Sequence, residues 1–72
     1  MPLLTAKDVQ SRAQSALAAS PVYALRDLQV EHQGETLLIS GWVASFYHKQ
    51  LAQEVVRQAA EGVEVVNSIQ VR

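Results

Sequence analysis

Between Leu28 and Val43 apolar residues recur at every second position on both sides of Gly34, and few folds accommodate that pattern. Leu28 and Val30 alternate with Gln29 and Glu31, and Leu37, Ile39, Gly41 and Val43 form the matching set after the glycine. A period of two places each set on one face of an extended strand. Gln33-Gly34 supplies the positive φ that a two-residue hairpin turn requires. With those two as the loop, Val30 is expected opposite Leu37 and Leu28 opposite Ile39, which turns the apolar residues of both strands to one side. A slip of one residue would scatter them. The same register is expected to place Leu25 opposite Trp42 and Gln29 opposite Leu38 on the other side.

The flanking segments read as helices. Thr5 is expected to cap the backbone N–H of Asp8, with Leu4 packing on Val9 as a hydrophobic staple. Val9, Ala13, Ala16 and Leu17 follow a helical period as one narrow stripe of mostly small side chains. Ser20-Pro21 stops this helix, because the residue before proline is pushed out of the helical region. A second helix is expected from the cap Ser45 to about Ala60, with Leu51, Ala52, Val55, Val56 and Ala59 as its apolar face, Phe46 packed inward and Gly62 as its left-handed stop. Val63 to Val71 reads as a last strand, but Val63, Val66, Ile69 and Val71 cannot share one face without an irregularity near Asn67. The expectation is one α+β domain over residues 1–72, in the order α-β-β-α-β, with two helices on one face of a three-stranded mixed sheet. A right-handed crossover makes the last strand parallel to the second.

At 72 residues the core must be lean, since a chain this short buries only about 60% of the surface its unfolded form exposes. With 49% apolar and 18% charged residues and a net charge of −1, the composition is that of a soluble globule with no strong electrostatic partner. The absence of cysteine excludes disulfides and thiolate metal sites. Met1 to Asp8 has neither the basic segment nor the apolar run of a secretory signal, and no apolar stretch approaches the ~20 residues of a membrane span. As written, the chain is expected in the cytoplasm, or in the envelope if it is one module of something longer.

The residue types that carry chemistry are sparse. His32 and His48 lack the spacing of a metal-ligand pair. Ser40, His48 and Asp27 supply the types of a catalytic triad without the strained Gly-x-Ser-x-Gly turn that would present a nucleophile. Glycines 34, 41 and 62 are scattered, so no phosphate-cradling loop exists, and Gly41 is expected to let a helix approach the sheet. No catalytic residue, cofactor or metal is expected. A KH-type nucleic-acid-binding domain is the alternative that the element order permits. Against it, the Gly-x-x-Gly loop is missing, and Lys7, Arg12, Arg26, Lys49, Arg57 and Arg72 are spread among seven acids.

The alternation of Leu28 and Val30, the turn at Gly34, the run Leu37-x-Ile39-x-Gly41-x-Val43-x-Ser45 and the tail Gly62-Val63-x-x-Val66-Asn67-x-Ile69-x-Val71 together resemble the BON domain over roughly residues 5–72. The resemblance implies a small α/β module, common in bacterial envelope and stress proteins, that attaches its host to phospholipid surfaces or to other proteins. It brings no catalytic residues with it.

Three strands with both helices on one face leave the other face uncovered. Trp42, Leu38 and Leu25 are expected there as the binding surface, with Val65 as a neighbour and Tyr47 extending it. Two function classes follow. One is a protein-interaction module, self-associating through the open sheet; the other is a peripheral phospholipid-binding module. Composition favours the first, because no basic face accompanies Trp42 in the sequence, whereas the family resemblance favours the second.

Overall fold

The computed structural model describes residues 6–72, so the Thr5 cap and the Leu4 staple lie outside the described residues. The first helix, α1, runs Ala6–Ala18 and buries Val9, Ala13 and Leu17. Ser20 then caps the chain locally, its Oγ accepting from Val22 N at 3.1 Å, and a short 3-10 helix follows at Tyr23–Leu25. The hairpin is β1 (Gln29–Gln33) and β2 (Thr36–Ser40), paired antiparallel. After Gly41 the chain resumes as β3 (Trp42–Val43) and enters α2 (Phe46–Ala59). The last segment is divided into β4 (Glu64–Asn67) and β5 (Gln70–Val71). The main sheet has the order β1-β2-β4, with β4 parallel to β2, and β3 and β5 continue these two strands as a parallel pair. This is a small α+β domain of two helices and a mixed three-stranded sheet.

The hairpin register differs from the expected one by two residues. Val30 faces Ile39, His32 faces Leu37 and Gln29 faces Ser40, which makes Gly34-Glu35 the loop. Gly34 has a φ of 62° at the first loop position, where a type II′ turn needs glycine. A shift by two keeps every side chain on its own face, so Val30, Leu37 and Ile39 still point into the core and are essentially inaccessible. Leu28 now falls beside Gly41 rather than opposite Ile39. It is this leucine, not a helix, that occupies the space a side chain at Gly41 would need.

The core is wholly aliphatic. Leu17, Leu25, Leu28, Val30, Leu37, Ile39, Val43, Val56 and Ile69 are its largest fully buried side chains, each stabilising by about 1.5–3 kcal/mol when removed from water. The two helices pack against each other, and Ala13 of α1 and Ala52 of α2 are both fully buried. The cap of α2 is as expected: Ser45 Oγ accepts from His48 N at 3.2 Å and lies 3.0 Å from His48 Nδ1. Loss of that cap in Ser45→Ala is expected to cost about 1 kcal/mol, which a thermal melt would register as about 4–8 °C.

Two polar devices finish the sheet. The irregularity expected near Asn67 is the break between β4 and β5. The Asn67 side chain accepts from Ile69 N at 3.1 Å and donates to Lys49 O at 3.0 Å and Gln53 Oε1 at 3.2 Å, tying the break to the first turns of α2. On the opposite edge, α1 closes β1. Gln14 Nε2 donates to Leu28 O at 2.8 Å while its Oε1 accepts from Val30 N at 2.9 Å, and Gln10 Nε2 donates to Val30 O at 2.8 Å. The Gln14 amide thereby satisfies the edge of β1 as a neighbouring peptide unit would.

Candidate aromatic and basic binding surface

The open face of the sheet carries less apolar surface than expected. Leu38 is half-buried there between Glu31 of β1 and Val66 of β4. Leu25 is not on it: the chain bends through the 3-10 helix before β1 begins, and Leu25 is fully buried in the core. Val65 is not on it either. Parallel pairing sets Val65 beside Leu37 on the core side, and Val66, next to Leu38, takes the open position. The expected patch therefore reduces to Leu38, Val66 and, past the bend at Gly41, Trp42.

A larger feature lies at the end of the sheet. The chain has one Trp, two Tyr and one Phe, and all four are outside: Tyr23, Trp42, Phe46 and Tyr47 are 78, 59, 63 and 69% exposed. Phe46 does not pack inward as expected. As the first residue of α2 it stands in phase with Gln50, Gln53 and Arg57, on the polar side of the helix, while Ala52 and Val56 face the core. These aromatics belong to elements that meet at one pole of the molecule. The 3-10 helix, β3 and β5 each contact α2, and a groove beside Trp42 is lined by Ala24, Asp27, Gly41, Val43 and Ala44. Val71, at the end of β5, adds a further exposed apolar side chain.

Each aromatic at this pole has a nitrogen-bearing side chain beside it. The Arg26 guanidinium lies 4.1 Å from the centre of the Tyr23 ring, held by a 2.7 Å hydrogen bond from its Nε to Ser20 O. Lys49 Nζ lies 5.8 Å from the Phe46 ring, and the Arg72 guanidinium 5.8 Å from the Trp42 ring. Tyr47 stands against the imidazole of His48, with ring centres 5.6 Å apart and planes inclined by 55°. All three cations are within cation–π range. Half of the six lysines and arginines of the chain thus gather at one end. Glu35, Glu61 and Glu64 stand at the other end, in the hairpin turn and on either side of Gly62. The sequence hides this grouping, because Arg26, Lys49 and Arg72 are separated by more than twenty residues each and are brought together only by the fold. One signal was present: Phe46 follows the cap Ser45 directly and falls outside the apolar stripe of its helix.

Among the described residues no group of three or more histidines and acids is arranged to hold a metal ion. No helix in the described residues is long and apolar enough to cross a membrane. His32 is exposed beside the hairpin turn, and His48 is engaged by its own helix cap, Ser45, rather than by Ser40.

A search of curated proteins finds no match to the chain. Comparison with protein-family models matches residues 5–72 to the BON domain. That match covers every described residue, including the turn at Gly34, the bend at Gly41 and the Asn67 break, and the chain belongs to the BON domain family.

Proposed function

We propose that the aromatic and basic pole is the working surface of this domain, and that through it the domain attaches its host to an anionic phospholipid surface without catalysing a reaction. BON domains are generally non-catalytic modules that bind phospholipids or proteins. The observation that carries the lipid reading is the position of the aromatics. A chain with only four such residues keeps all of them out of its core and sets them at one end with three cations. Tryptophan and tyrosine favour the headgroup level of a bilayer, where an amphipathic ring has one apolar side and one wet side. Lysine and arginine add attraction to anionic headgroups, about 1 kcal/mol for each cation close to the surface. The aromatics rim the pole as separate exposed rings rather than lining a deep pocket, which suits a broad soft surface better than a small ligand. The companion cation of Trp42 removes the sequence-based preference for a protein partner, which rested on the lack of a basic face.

Trp42 is the only tryptophan and is 59% exposed, so its fluorescence reports on this surface alone. Titration with phosphatidylglycerol vesicles is expected to shift its emission to the blue, while phosphatidylcholine vesicles leave it unchanged. Equal shifts with both lipids, or none with either, would overturn the charge-assisted reading. A shift induced by single-stranded RNA at the same concentrations would reassign the pole to nucleic acid, since stacked rings and cations also bind single strands.

A further inference from the structure

We infer that the β4 edge of the sheet is a self-association surface, on which a second copy of this chain adds its own β4 antiparallel across a two-fold axis at Val66. The two edges of the main sheet are treated differently. On β1 the glutamines Gln10 and Gln14 engage the outward backbone groups of Leu28 and Val30, which leaves no room there for a further strand. On β4 the inward bonds are made by even-numbered residues, as Ser68 N donating to Ile39 O at 2.9 Å shows, and the pattern continues with Gln70 N to Gly41 O and Arg72 N to Val43 O. Backbone groups alternate sides along a strand, so Val65 and Asn67 direct their N–H and C=O away from the sheet.

The occupant follows from how this edge fits itself. With Val66 on the axis, Val65 of one copy falls opposite Asn67 of the other, and both are outward-directed, so each pair can exchange two main-chain hydrogen bonds. Glu64 falls opposite Ser68, which avoids the like-charge pairing that a two-fold axis through Glu64 would create. On the open face the two Val66 side chains meet, and with Leu38 beside each of them they form one apolar row across four strands. Val66, 39% exposed in the single chain, is covered in the pair. No lysine, arginine or proline interrupts Glu64–Asn67 to guard this edge.

An antiparallel pair would point its two aromatic poles in opposite directions, since the pole lies at the C-terminal end of β4 and β5. Resting on the lipid reading above, such a dimer would hold two membrane surfaces rather than bind one twice. The edge pairing itself does not depend on that reading.

The test is sedimentation equilibrium of the wild-type chain from about 10 μM to 1 mM, the range of weak association, beside Val66→Lys and Val65→Pro. Val66→Lys sets two ammonium groups on the axis and alters a side chain that supports no core. Val65→Pro removes one outward N–H and spares the inward ladder. The wild type is expected to dimerise as its concentration rises, with both variants at least about tenfold weaker and with an unchanged far-ultraviolet circular dichroism spectrum. If Val65→Pro does not fold, Val66→Lys decides alone. A wild type that stays monomeric across the range, or a Val66→Lys chain that dimerises as tightly as wild type, would overturn the inference. Vesicle binding by a monomeric Val66→Lys would show that the lipid reading stands independently, and aggregation of anionic vesicles by wild type but not by Val66→Lys would tie the two together.

Discussion

Gly41→Ala should lower the stability of this domain by roughly 3 kcal/mol, more than any other single-methyl addition in the hairpin. Two independent causes converge there. The φ of Gly41 is 127°, a conformation that residues with a Cβ rarely adopt, and holding one there costs of order 1–3 kcal/mol. The added Cβ would also lie 2.8 Å from Cδ2 and 3.7 Å from Cα of Leu28. A terminal methyl at the surface could swing aside, but Leu28 is only 1% exposed and is hemmed in by the core, so overpacking adds about 1–3 kcal/mol. For a domain whose total stability is about 4–11 kcal/mol, this is a large fraction. The melting temperature should fall by about 12–24 °C. Gly34→Ala is the control: its φ of 62° is also positive, but nothing lies within 4 Å of a Cβ there. It should lose about 1–2 kcal/mol. Equal losses at the two glycines would mean that the Leu28 contact has no energetic weight. The bend at Gly41 also aims Trp42, so Gly41→Ala should weaken attachment by more than its fraction unfolded explains.

What the sequence makes legible here is parity, and what it hides is pairing between distant segments. Alternation determines that Val30, Leu37 and Ile39 share a face, because a period of two has only two phases. It does not distinguish one register from another two residues away, and the pairing was settled by which glycine-containing dipeptide makes the turn: Gly34-Glu35 rather than Gln33-Gly34. Leu25 was misplaced for a related reason. Extrapolating the strand backwards from Leu28 passes through Arg26 and Asp27, where Ser20 and the 3-10 helix have already turned the chain inward. The local signals held where the physics is local: the Ser45 cap and the Gly62 stop depend on a few neighbouring residues, and the Asn67 break starts from the bond between Ile69 N and the Asn67 side chain two residues before it. The binding surface is the opposite case. Its aromatics come from the 3-10 helix, β3 and α2, and its cations from the end of the 3-10 helix, from α2 and from the residue after β5, so no window of the chain contains it. Only the observation that Phe46 lies off the apolar stripe of α2 pointed outward.

The charge half of the proposed surface should be separable from net charge. Arg26→Gln, Lys49→Gln and Arg72→Gln combined remove the three cations that lie over Tyr23, Phe46 and Trp42. At about 1 kcal/mol for each cation near an anionic membrane, the loss is about 3 kcal/mol, and apparent affinity for phosphatidylglycerol vesicles should fall by about a hundredfold. The matched control is Lys7→Gln, Arg12→Gln and Arg57→Gln combined, which changes net charge equally but away from the pole. Arg12 borders the groove between α1 and the C-terminal turn of α2, and Arg57 pairs with Glu54 at 3.2 Å on the exposed side of α2. Screening reaches about 10 Å at 0.1 M salt, so charges at the far end should contribute little, and the control is expected to bind within about threefold of wild type. Neither set touches the core, and melting temperatures should be close to wild type in both. Raising the salt should weaken wild type and control together while leaving the pole variant, already stripped of its electrostatic attraction, nearly unaffected. Equal weakening of the two variants would mean that the membrane senses total charge rather than this surface, and the aromatic and basic pole would lose its claim to be the site of attachment.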